Sequence, residues 1–114
     1  MDKEKRKALT DSYTSRKKIG AVIAICCTES GKRLLISVPD MKGYENRFMF
    51  SKQINSPVHE KLRKDWFELG AGAFTLDVLE KLEQGEEQTD RDFNESLKIL
   101  LEIYIAQADS ATLY

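Results

Sequence analysis

The chain has one histidine, one tryptophan, two prolines and two cysteines, and it contains no long apolar run. Each scarcity excludes something. One histidine and two adjacent thiols, Cys26 and Cys27, do not make the spaced Cys/His set that a structural zinc site requires. Neighbours in a strand point to opposite faces, so a disulfide between these two cysteines is not expected. With so little proline and no low-complexity stretch there is no linker, and 114 residues suit one domain. No segment approaches the roughly 20 apolar residues of a membrane-spanning helix. The opening Met-Asp-Lys-Glu-Lys-Arg-Lys has no apolar stretch behind it, which is not the pattern of a secretory signal. A cytoplasmic protein without membrane partners is the expectation.

What is present suits a folded domain: 41% of residues are hydrophobic and 32% charged. The net charge of −1 conceals an uneven spread. Residues 1–18 hold seven Lys/Arg against three Asp/Glu, whereas residues 77–97 hold eight acids against two bases. A basic arm favours phosphates and an acidic segment repels them, so a nucleic acid would be held on one side only.

Residues 2–18 are rich in helix formers, and Leu9 with Tyr13 gives a thin apolar stripe. The expectation is a basic helix over 1–19 packed on a single domain spanning 20–114. Two short apolar runs, 20–27 and 34–38, flank Thr28-Glu29-Ser30-Gly31-Lys32 and predict a β-hairpin. A short helix is expected within 44–54. Ser56-Pro57 reads as N-cap and first turn of another helix, which carries Val58, Leu62, Trp66 and Leu69 and stops at Gly70. Residues 73–80 alternate as a half-buried strand, although Leu76, Leu79 and Leu82 would also suit a helix. Thr89 and Asp92 have capping-box spacing ahead of a last helix. Its core stripe is Phe93, Leu97, Leu100 and Tyr104, widened by Leu101, Ile103 and Ile105, with Glu95, Lys98 and Glu102 on the polar side. The order α-β-β-α-α-β-α predicts an α/β (α+β) fold, a small antiparallel sheet flanked by helices.

Three features in this order resemble the GIY-YIG nuclease family. They are Gly31-Lys32 in the hairpin turn, Leu62-x-x-x-Trp66-x-x-x-Gly70-x-x-x-Phe74 followed by Val78-Leu79-Glu80, and Leu101-Glu102 in the closing helix. The resemblance covers roughly residues 20–106. It implies a GIY-YIG endonuclease-like fold, with DNA as ligand and Mg²⁺ or Mn²⁺ as cofactor. In that family one tyrosine helps activate the attacking water, an arginine stabilises phosphate charge and a glutamate holds the metal. Arg47 matches the arginine, and Glu102 matches the glutamate and so the metal ligand. Both name-giving tyrosines are replaced. Ala21-Val22-Ile23 puts Ile23 in the first slot, and Leu34-Leu35-Ile36 puts Leu34 in the second and Ile36 at the glycine.

Isoleucine and leucine can neither donate nor accept a proton. The expectation is therefore a degenerate member that binds nucleic acid with weak or no phosphodiester cleavage, using Arg16, Lys17 and Lys18 on the backbone. Two alternatives stay open. One is an active metal-dependent endonuclease using Arg47 and Glu102, with a hydroxyl from Tyr44 or Ser37 nearby. The other is a regulatory module whose acidic 77–97 segment meets a basic protein partner.

Overall fold

The near-continuous apolar run after Lys18 becomes the middle strand of the sheet. In the computed structural model, which describes residues 18–114, β1 (Ile19–Cys27) pairs antiparallel with β2 (Arg33–Val38) on one side and β3 (Phe74–Glu83) on the other. Ile23 lies opposite Ile36 and Val78. Helices cover both faces, which is why β1 is apolar throughout rather than alternating. The hairpin closes with Gly31 at φ 76°, where its amide donates to the Cys27 carbonyl. On β3, Val22 pairs with Glu80 while Ile23 pairs with Val78, so Leu79 is the extra residue of a bulge.

One face carries Ala21, Ile23, Ile25 and Cys27, together with Leu34, Ile36 and Val38, and is covered by α1 (Met41–Gln53) and α2 (Arg63–Leu69). Trp66 of α2 is fully buried there, stacked on Phe74 at 4.8 Å between centroids and met edge-on by Phe48 at 6.3 Å. Truncating an aromatic so placed typically costs about 3–5 kcal/mol. Gly70 ends α2 at φ 89°, ψ 154°, a conformation that only glycine adopts readily, and this turn brings Phe74 back beneath Trp66. The Trp-Gly-Phe spacing is thus a packing device.

The other face carries Gly20, Val22 and Ala24 and is covered by α3 (Asp90–Gln107). Leu97 and Phe93 of α3 lie over Gly20 so closely that no Cβ would fit there. Thr89 caps the helix by accepting the Asp92 amide proton, as its spacing predicts. Tyr104 donates its hydroxyl to Glu80 of β3 at 2.7 Å. The cysteines are free and on opposite faces, with the Cys26 thiol donating to Asp77 and Cys27 buried.

Three expectations are corrected. Ser56-Pro57 does not begin a helix. Asn55, at φ 53°, Ser56 and Pro57 form the exit of α1: the Ser56 amide donates to the Ser51 carbonyl and the Asn55 amide to the Lys52 carbonyl. These two bonds satisfy the last carbonyls of α1, and a proline just beyond them cannot continue the helix. The next turn is a 3₁₀ segment, Glu60–Leu62, capped by His59, and Leu69 is exposed at the end of α2. Secondly, α1 begins at Met41 rather than 44, because the Asp40 carboxylate accepts from the Gly43 amide and caps it. Thirdly, Ile103 and Ile105 do not widen the core stripe of α3; they are exposed.

Beyond α3, Leu113 bridges to Arg33 in parallel at the start of β2, and the Tyr114 hydroxyl donates to Asp65 of α2 at 2.7 Å. Among the described residues no helix is long and apolar enough to cross a membrane. The expected basic helix, with Arg16 and Lys17, lies outside the described residues.

Candidate nucleic-acid interface

The two tyrosine slots are filled by core. Ile23 is 1% exposed and Leu34 4%, both on the α1 face, where they supply packing and no proton chemistry. A different tyrosine reaches the same region. Tyr44 of α1 packs against the cluster of Ala21, Ile23 and Val38, and its hydroxyl is buried without a hydrogen-bond partner. Burial pushes this phenol above its usual pKa, against a smaller opposing effect of Arg47. Neutral and shut off from solvent, it cannot activate a water. Ser37 pairs with Val22 and therefore faces α3, on the opposite side of the sheet from Tyr44.

Arg47 and Glu102 are separated in the same way. Arg47 is exposed on α1, with its guanidinium 5.9 Å from the Tyr44 ring centroid. Glu102 is on α3, beneath the other face of the sheet. It follows the buried Phe93 by nine residues, about two and a half helical turns, so it points away from the sheet into solvent. Arg47 and Glu102 are thus carried by helices that cover opposite faces of the sheet. Among the described residues, no three His, Cys, Asp or Glu side chains converge on a possible metal position. Glu102 by itself would hold a divalent metal only with waters and substrate phosphates completing the shell.

Lys18 forms an ion pair with Asp90 at 3.0 Å. That pair neutralises the one described member of the basic trio, and Lys52 is likewise committed, donating to the Phe74 carbonyl.

What the structure does bring together is a cationic flank around His59. The His59 Nδ1 accepts the Lys61 amide proton at 3.1 Å, which leaves the proton of the neutral ring on Nε2 as a free donor. Burial, then the nearby Lys61 and Arg47 charges, hold His59 below its usual pKa, with Glu60 opposing. Residues 41–64 contain six Lys/Arg against two Asp/Glu. Among the described residues, no carboxylate lies within ion-pair distance of Arg47, Lys61, Arg63 or Lys64. The acidic residues of 77–97 belong to β3, α3 and the loop between them. The density of bases at 59–64 was the available sequence signal for this flank, but reading Ser56-Pro57 as a helix start placed His59 inside a helix instead of at its cap.

The chain is an α+β protein: among the described residues, a three-stranded antiparallel sheet with three helices. No family model matches it, and neither a curated protein sequence nor a solved structure does.

Proposed function

We propose that this protein is a divergent GIY-YIG-like domain that binds nucleic-acid phosphates through the Arg47–His59–Lys61 flank and does not cleave them. The observation that carries the reading is the pairing of unneutralised cations on the α1 side with the separation of Arg47 from Glu102. Scaffold likeness is supported by the order hairpin, helix, helix, strand, helix and by the Trp66–Phe74 stack across Gly70. Binding is supported by the cations gathered around the outward Nε2–H of His59. A phosphate oxygen there would accept from Nε2 and stand in the field of two positive side chains. Metal-dependent cleavage needs a base, a charge stabiliser and a metal around one phosphorus atom. Aliphatic residues fill the tyrosine slots, and the remaining candidates face opposite ways.

Fluorescence anisotropy with a labelled 20-mer duplex, measured across salt concentrations, tests binding. The expected result is a steep fall in affinity with salt, the slope easing by about one for Arg47→Gln, since each neutralised phosphate contributes about −0.9 for duplex DNA. The duplex should remain whole in Mg²⁺ or Mn²⁺. Cleavage abolished by both Arg47→Gln and Glu102→Ala would instead establish the metal-dependent nuclease. An absence of binding at low salt would turn attention to a basic protein partner at the acidic 77–97 segment.

A further inference from the structure

Two phenylalanines stand in solvent beside the cations. Phe50 of α1 is 57% exposed and three residues from Arg47, so the two share one side of the helix. Phe67 of α2 is 59% exposed, three residues from Lys64 and four from Arg63. Neither ring joins the core, to which α1 contributes Phe48 and α2 contributes Trp66. From this juxtaposition we infer that the ligand is single-stranded nucleic acid, whose unpaired bases stack on Phe50 and Phe67 while Arg47, Lys61, Arg63 and Lys64 hold the phosphates.

Charge complementarity selects a polyanion for this surface, and the rings select which polyanion. In a duplex the base faces are occupied by neighbouring pairs, so a ring on a helix flank has nothing flat to meet. In a single strand every base offers a free face, and a groove of cations with aromatic platforms binds it without sequence preference. A basic rim without exposed rings would hold a duplex as well as a strand. The inference rests on the phosphate-binding reading above and adds the class of nucleic acid.

The test uses three labelled probes at fixed low salt: a 12-nucleotide thymidine strand, an abasic strand of equal length and charge, and a 12-base-pair duplex. The thymidine strand should bind about fivefold or more tighter than the abasic strand, because base–aromatic stacking contributes on that order. Phe50→Ala and Phe67→Ala should each weaken the thymidine strand by about fivefold and leave the abasic strand unchanged. Phe50→Tyr should retain the affinity. Both side chains are exposed, so the variants should fold, as circular dichroism would verify. Equal affinity of the thymidine and abasic strands, unaffected by either alanine, would overturn the stacking inference. If Arg47→Gln still weakened all three probes, phosphate binding would stand without it. No binding of any probe to the intact protein would overturn both.

Discussion

Gly20→Ala tests the close packing at the start of β1, where β2 and α3 both press on Gly20. A Cβ at position 20 would lie 2.6 Å from the Val38 carbonyl oxygen, 2.9 Å from Leu97 Cδ1 and 3.1 Å from Phe93 Cζ. The first neighbour is backbone of the paired strand, which cannot rotate away. It falls 0.8 Å short of the 3.4 Å at which ordinary contact begins. Either β1 and β2 part at that end or α3 lifts from the sheet. Overpacking of this kind costs about 1–3 kcal/mol, against a gain of about 0.4–1 kcal/mol from the stiffer unfolded chain. A net loss of about 1–2 kcal/mol should lower the melting temperature by about 4 °C for each kcal/mol in a domain of this size. Urea denaturation followed by circular dichroism reads it as a lower midpoint at unchanged slope. Adding Leu97→Ala relieves one of the three contacts but not the one to the carbonyl, so the double variant should be less destabilised than the sum of the two singles. A Gly20→Ala protein within about 0.5 kcal/mol of the parent would refute the close packing around Gly20.

Gly70→Ala meets no atom within 4 Å, so its cost should come from backbone alone, about 1–3 kcal/mol at φ 89°, ψ 154°, read by the same urea titration. Tyr44→Phe removes a buried hydroxyl that has no partner, and should leave stability unchanged or raise it by up to about 1 kcal/mol; a clear loss would mean that the hydroxyl is bonded. The depressed His59 pKa sets two signs. Without ligand, the unfolded chain takes up the proton first, so stability should decline as pH falls below about 6.5 and level off beneath the folded pKa. Bound phosphate raises that pKa, so affinity should increase over the same descent, and His59→Gln should abolish the increase.

The antiparallel sheet and the succession of its elements along the chain were legible because the signals were local and mutually consistent. The runs 20–27 and 34–38 read as strands and the turn around Gly31 joins them in a hairpin, whereas nothing local placed β1 between the other two strands. Trp66, Gly70 and Phe74 were legible as a unit because helix, stop and strand each require the residue found there. Ser56-Pro57 misled because a helix exit and a helix entry favour the same residue types. The choice was made by the hydrogen bonds of Ser56 and Asn55 back into α1, which depend on Asn55 adopting a left-handed conformation. Ile103 and Ile105 misled because hydrophobicity alone does not tell which side of α3 meets a sheet only three strands wide. The opposed positions of Arg47 and Glu102 were not legible at all. Each residue carries a local signal for its own helix, but the sheet face each helix takes is a property of the assembled fold. The cationic flank around His59 likewise depends on α1 lying beside a loop that follows it in sequence.

The most direct test is an amide chemical-shift titration of the ¹⁵N-labelled protein with the 12-nucleotide thymidine strand at low salt in the presence of Mg²⁺. Shifts saturating together at Arg47, Phe50 and His59 through Lys64, with Glu102 and its neighbours on α3 unmoved, are the expected result. Arg47 and Glu102 shifting together with a single binding constant would contradict it, because one oligonucleotide site would then join residues that the fold sets on opposite faces of the sheet.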